Sequence, residues 1–294
     1  MYYRRKCILA LIEQFNGTLD KMALQKLLFL LAQNSAKKQF DFVPYKYGCF
    51  SFQANYDLSV MRKLGQVAET ESNWSVSENS NYLSEIASAD KQAIGGLFKQ
   101  FAPLNVDELI RYTYINYPGY ATRSLLAEKL LTSTEFAAVK ELQKQAGEKT
   151  FFTIGYEGKS IDEYMHRLVC SNVKTLFDVR KNALSMKYGF SKSTLKKCCE
   201  GLGIDYVHLP ELGIASDRRQ QLNSQADYDA VFADYEREVL PVTGESQQLI
   251  LNTLEKTGRV AITCFEKDLS RCHRTRLANA LQNTCRGELK VEHL

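Results

Sequence analysis

From Thr150 to the C-terminus, short apolar runs alternate with segments of helical periodicity, and this alternation constrains the fold more than any other feature. Strands are predicted over residues 151–156, 175–179, 205–209, 260–264 and 289–293. Helices are predicted over 160–170, over 191–202 with Ser191 as cap, and within 227–256, where Pro241 and Gly244 interrupt one or two helices. Strands that alternate with helices form a parallel sheet covered on both faces, because each connection must cross back over the sheet. The expectation is a small doubly wound, mostly parallel α/β domain over residues 150–294. In such sheets ligands lie outside the carboxyl ends of the strands, so the strand-to-helix turns are the places to look for chemistry.

The first half has a different rhythm. Residues 1–35 read as two helices separated by Asn16-Gly17, the second with Leu24, Leu27, Leu28 and Leu31 on one side. Residues 40–48 are aromatic-rich and read as an extended loop, residues 51–64 as a third helix, and residues 65–76 as a turn with short strands. Three helices followed by a hairpin is the order of a winged helix. Helical periodicity returns from Ala89, with Asn105 and Glu108 spaced as a capping box. Residues 142–149 are polar and read as a linker. The expected division is therefore a helical, winged-helix-like domain over 1–145 for binding nucleic acid or a partner, and an α/β domain over 150–294 carrying the site.

Composition narrows the classes. A chain of 294 residues with 45% hydrophobic and 24% charged residues has the make-up of a soluble globular protein. No apolar run approaches the roughly 20 residues of a membrane span, and the apolar part of the N-terminus is too short for a signal peptide. The expectation is a cytoplasmic protein without membrane partners. A formal charge of +4 permits nucleic-acid binding without arguing for it. The eight cysteines include no CxxC pair, which argues against a zinc ribbon and for reduced thiols.

Three turns hold the candidate residues. After the first strand come Tyr156, Glu157 and Gly158, ahead of a helix capped by Ser160, where free N–H groups favour an anion. After the second come Asp178 and Arg180, which alternation sends to one face. They read either as a structural ion pair or as an acid/base group beside a guanidinium that holds phosphate or carboxylate. After Val260–Cys264 come Glu266, Cys272, His273 and Arg274. Cys272, in the first turn of a helix beside Arg and His, is expected to have a lowered pKa. It could serve as a nucleophile with His273 or Glu266 as proton carrier. Alternatively Cys264 and Cys272 are core thiols while His273 and Arg274 bind an anion. A metal on Cys264, Cys272 and His273 is disfavoured by the adjacency of Cys and His, so neither metal nor cofactor is expected. Arg274 and Arg276 point to different sides of their helix. The Asp217-Arg218-Arg219 stretch reads as a solvated loop, His208 as a satisfied core or edge histidine, and Tyr45, Tyr47, Phe50, Phe52 and Tyr56 as core aromatics or a base-stacking surface.

Taken together, Gly155-Tyr156-Glu157-Gly158, Asp178-Val179-Arg180, Gly189-Phe190-Ser191, His208-Leu209-Pro210, Cys264-Phe265-Glu266 and Cys272-His273-Arg274 resemble domain-of-unknown-function family 488. Lys181-Asn182-Ala183 departs from the family's usual proline. The first half, through Leu24 to Leu30, Pro44 to Gly48 and Leu109 to Tyr120, resembles the Panacea or SocA-like antitoxin domain. That second resemblance implies a setting in DNA metabolism or phage defence.

The resulting expectation is an enzyme acting on DNA or a nucleotide by hydrolytic or glycosidic chemistry. Glu157, Asp178, Glu266, Cys272 and His273 would be catalytic, with Tyr156, Gly158, Arg180, Cys264 and Arg274 binding the ligand. The alternatives are a non-catalytic, antitoxin-type regulator that binds nucleotide or protein, and a thiol-dependent enzyme using Cys272.

Overall fold

The computed structural model describes residues 1–35, 37–77, 81–143, 148–215, 222–286 and 288–294. Part of the expected linker and all of Asp217-Arg218-Arg219 lie outside them. The chain divides into two compact units, Met1–Lys144 and Gln145–Leu294.

The first unit is mostly helical. Its elements are α1 (Tyr3–Gln14), β1 (Thr18–Asp20), α2 (Lys21–Asn34), β2 (Val43–Tyr45), β3 (Gly48–Phe50), α3 (Phe52–Lys63), β4 (Ala68–Glu69), β5 (Asn73–Ser75), α4 (Ser88–Phe101), α5 (Val106–Asn116), α6 (Pro118–Ala121), α7 (Ala127–Leu130) and α8 (Ser133–Gln143). Helix α2 is the axis of this unit: every residue from Ala23 to Ala32 is buried. Asp20 starts it by accepting from the N–H groups of Met22 and Ala23. The Asn105–Glu108 capping box is present at α5. Strands β1, β5 and β4 form an antiparallel sheet in that order. Two features depart from expectation. The stretch read as a loop around Pro44 is a hairpin, β2 against β3, with Tyr45 paired to Gly48. Gly48 has φ +92, and an added Cβ would meet the Tyr114 ring at 2.6 Å, so the turn needs glycine. Strand β1 was not anticipated, because three residues are too few to show a period of two.

The second unit contains β6 (Thr150–Gly155), α9 (Ile161–Cys170), β7 (Thr175–Asp178), α10 (Lys192–Gly201), β8 (Asp205–His208), α11 (Gln225–Glu238), α12 (Gly244–Thr257), β9 (Arg259–Cys264), α13 (His273–Thr284) and β10 (Val291–His293). The strands form one sheet in the order β10-β6-β9-β7-β8, with every neighbouring pair parallel. All six residues of β6 and all four of β7 are buried, as strands covered on both faces must be. The chain crosses the sheet one way from β6 through β7 to β8, then returns through β9 to β10. Right-handed crossovers therefore place α9 and α10 on one face and α12 and α13 on the other. Ile250, Leu254, Leu277 and Leu281 of the latter pair share a core with Phe151, Phe177, Val260 and Ile262. The helices that follow the adjacent strands β6 and β9 thus leave on opposite faces, which opens a crevice at their carboxyl ends. Ser191 stands at the N-cap position of α10 but does not cap it. Its hydroxyl donates to the Ser185 carbonyl and accepts from the Ser185 N–H, pinning the loop before the helix instead.

Candidate functional site

The turns after β6 and β9 close against each other through backbone contact. Gly155, the last residue of β6, has the Glu266 carbonyl so near that a Cβ would lie 1.9 Å from its oxygen. Just beyond, the Glu157 N–H donates to the Phe265 carbonyl at 2.9 Å, and the Lys267 N–H donates to the Glu157 carboxylate at 2.9 Å. Arg274, buried in the first turn of α13, donates to the carbonyls of Glu266 and Lys267. Its Nε is buried and has no hydrogen-bond partner among the described residues.

Beside this junction lies a cavity of about 450 Å³ lined by Glu157, Gly158, Lys159, Glu163, Arg167, Lys267 and Arg274, with His293 and Leu294 at the end of β10. Gly158 has φ +76 and makes the turn into α9, where the Ser160 hydroxyl caps the helix by accepting from the Glu163 N–H. The cavity is electropositive. Burial lowers the Lys159 pKa, and Arg167, Arg274 and Lys267 lower it further by repulsion against the opposing pull of Glu163. Burial, with Arg274 adding to it, likewise lowers His293.

The turn after β7 is closed on itself. Arg180 holds Asp178 through Nε at 2.8 Å and through a second bond from Nη2, and its Nη1 donates to the Tyr156 hydroxyl and the Phe190 carbonyl, both at 2.9 Å. Tyr206 donates to Asp178 Oδ2 at 2.6 Å, the oxygen that also accepts from Arg180 Nη2. Tyr156 stacks on Phe190 with ring centroids 4.3 Å apart. Burial would lower the Arg180 pKa, but its bonds and charge contact with Asp178 hold it above the ordinary range. Burial first, then Asp178, raises Tyr206, so that hydroxyl stays protonated as the donor. His208 reaches the Arg180 carbonyl at 2.9 Å, a satisfied edge histidine as expected.

Cys264, Cys272 and His273 form a third, fully buried group. The Cys264 Sγ lies 3.1 Å from Glu266 Oε2 and 3.5 Å from His273 Nδ1, while His273 Nε2 lies 3.2 Å from the Val179 carbonyl. Here the expectation of an acidic Cys272 is corrected. Burial and the neighbouring Cys264 push the Cys272 thiol well up. Cys264 is the acidic thiol: burial opposes ionisation, but Cys272, His273 and Glu266 together hold its pKa well below the ordinary thiol value. The reason is geometric, since the Cys264 sulfur lies beside the His273 ring, whereas Cys272, at the N-cap of α13, meets the Cys264 sulfur and the Glu266 charge, which both raise it.

The three turns therefore meet at one edge of the sheet and are tied by direct bonds. Of the residues predicted from sequence, the open cavity is lined by Glu157, Gly158 and Arg274. Tyr156, Asp178, Arg180, Cys264, Cys272 and His273 stand buried, and Glu266 is half-buried with a carboxylate oxygen on Cys264. Arg276 turns away to Asp229 and Glu236 on α11. Lys159, Glu163, Arg167 and Lys267 were missed. The one available signal was spacing: Glu163 in the first turn of α9 and Arg167 in its last stand four apart and pair at 2.9 Å.

Residues 160–281, most of the second unit, match the family model described as Domain of unknown function DUF488. The second unit is a DUF488 domain. No curated protein matches the chain. Asp178, Arg180, Cys264, Glu266, Cys272, His273 and Arg274 fall within the matched residues of the DUF488 domain, while Tyr156, Glu157 and Gly158 precede them. Among the described residues no helix is long and apolar enough to cross a membrane.

A thiol mechanism at Cys272 makes a direct demand on accessibility. In the folded chain, exposed Cys170 and half-buried Cys285 are expected to alkylate first, with Cys264 and Cys272 reacting only after denaturation. Timed iodoacetamide labelling read by peptide mass spectrometry checks this; early labelling of Cys272 would restore the nucleophile reading.

Proposed function

We propose that the DUF488 domain binds a phosphate-bearing ligand, a nucleotide or a nucleic-acid end or base, in the β6–β9 crevice and acts on it by hydrolytic or glycosidic chemistry. The observation that carries this reading is the convergence of Lys159, Arg167, Lys267 and Arg274 on one cavity beside the start of α9. Four cationic side chains suit phosphate oxygens. Glu157 is exposed in the same wall, where a carboxylate can carry a proton or stabilise an oxocarbenium-like centre. Asp178, Arg180, Glu266 and His273 then act from behind, fixing the turns that shape the cavity. In the first unit, α1 to α3 with the β1-β5-β4 sheet supports a winged-helix-like module. In this reading it selects the DNA or protein partner, in line with the antitoxin-like resemblance and a role in phage defence.

Titration of the full chain with nucleoside 5′-monophosphates and 5′-phosphorylated DNA across a salt series tests the reading. Lys267→Ala is expected to weaken binding to DNA and to lower the log–log salt slope by about 1. Glu157→Gln is expected to retain binding and lose turnover. No binding at low salt by any of these probes would defeat the proposal. One observation favours a non-catalytic regulator as the second reading: Asp178 and Arg180 neutralise each other, so neither charge faces the cavity. Cellular function that survives Glu157→Gln but not Lys267→Ala would select it.

A further inference from the structure

We propose that Cys264, Cys272 and His273 form a binding site for a transition-metal cation of soft or borderline character, with zinc the first candidate. The three donor atoms, two sulfurs and one ring nitrogen, all lie within 4.8 Å of one another. Around a tetrahedral zinc ion, the usual bond lengths place sulfur and nitrogen about 3.6 Å apart and two sulfurs about 3.8 Å apart. The Cys264 Sγ–His273 Nδ1 separation of 3.5 Å is already that of two ligands on one ion.

Adjacency of Cys272 and His273, which counts against chelation in the sequence, is overcome by the backbone. Cys272 is extended, with φ −130 and ψ 128, and His273 opens the helix. The chain changes direction between them, and both side chains come to Cys264 at the end of β9. The second ring nitrogen is also arranged for a metal. His273 Nε2 donates to the Val179 carbonyl at 3.2 Å, which leaves the Nδ1 lone pair directed at the sulfurs, as in histidines whose outer nitrogen is fixed by a backbone acceptor. Glu266 supplies the fourth position: its Oε2 is 3.1 Å from Cys264 Sγ, and half-burial lets it move the few tenths of an ångström required.

Two thiolates and an imidazole select zinc, or another metal that favours sulfur, over calcium or magnesium. Binding releases to solvent the proton of the Cys272 thiol and the one shared by Cys264 and His273, in exchange for one divalent cation bonded to both sulfurs, with no change in oxidation state. Because all three donors are buried, the site is of the closed, structural kind. It fastens the end of β9 to the start of α13 and so sets the Glu266 and Lys267 carbonyls that hold Arg274. The inference does not depend on what the adjacent cavity binds.

The test uses the full wild-type chain, purified without chelator and without a metal-affinity step. Elemental analysis is expected to find about one zinc per chain. After chelation and refilling, Co²⁺ is expected to give tetrahedral d–d absorption with a thiolate-to-cobalt charge-transfer band, and added Zn²⁺ to bleach both. The unfolding midpoint of the second unit should rise with Zn²⁺ and fall with chelator. Cys264→Ser and Cys272→Ser should each lose the charge-transfer intensity, while Cys170→Ser, at an exposed thiol outside the group, keeps it. Wild-type protein that takes up no metal, or binds Co²⁺ with no sulfur band, overturns the proposal, and neither result requires a variant to fold.

Discussion

Replacing Arg180 with alanine is expected to destabilise the DUF488 domain by about 3–5 kcal/mol, the cost of leaving a buried carboxylate without its counter-ion. Asp178 is 0% exposed and Arg180 3%, so water cannot replace the lost partner. The substitution also strips donors from the Tyr156 hydroxyl and the Phe190 carbonyl, which adds the cost of unmade hydrogen bonds. Tyr206 would remain on Asp178 and limit the loss. Because the pair is buried, the effect should be nearly insensitive to salt. Urea unfolding followed by circular dichroism and tyrosine fluorescence would measure it. The protein contains one tryptophan, Trp74, and it lies in the other unit, so its emission is an internal control expected to keep its midpoint. Asp178→Leu combined with Arg180→Met should recover much of the loss, since an apolar pair of similar volume carries no desolvation cost. A shift below about 1 kcal/mol for Arg180→Ala would show that the pair behaves as a solvated surface bridge.

Gly155→Ala is expected to be the second large effect and to couple stability to ligand binding. The added methyl would sit 1.9 Å from the Glu266 oxygen and 2.8 Å from its carbonyl carbon. Both are backbone atoms that no rotamer change can remove. Overpacking of this kind costs about 1–3 kcal/mol or more, and the displaced turn carries the two carbonyls that position Arg274. Affinity for the proposed phosphate-bearing ligand should therefore fall along with the unfolding midpoint. Gly158→Ala is the informative contrast: φ is +76, but nothing lies within 4 Å of the new Cβ. It should cost only about 1–2 kcal/mol of backbone strain and leave the cavity intact. Paired calorimetric binding and urea titrations on the two variants separate the cases. Equal, small effects would mean that the β9 turn is not held against Gly155.

Much of the DUF488 domain was legible because its signals are local. Short, mostly apolar runs such as Phe151–Ile154 and Val260–Ile262, set among helical segments, read as strands buried on both faces, and Pro241 with Gly244 divides α11 from α12 where helical geometry fails. The side-chain roles were less legible. Tyr206 was overlooked although it completes the Asp178 network, because its partner is set by the β7–β8 register. The acidic thiol was assigned to Cys272 from its place at a helix start, but ionisation follows from which sulfur lies beside His273, and that is Cys264.

Taken alone, the amino-acid order determined the parallel α/β class, the helical character of the first unit and the three turns where chemistry would lie. Each of these follows from periodicity and from the steric preferences of Gly, Pro and capping residues within a few positions. Only the tertiary structure decided the strand order β10-β6-β9-β7-β8, and with it the pairing of the β6 and β9 turns. Charge was decided at the same level. Whether Asp178, Arg180, Lys159 or Arg274 faces a ligand or another side chain depends on distances between segments as far apart as residues 155 and 274, and Coulomb energy and desolvation change over a few ångströms.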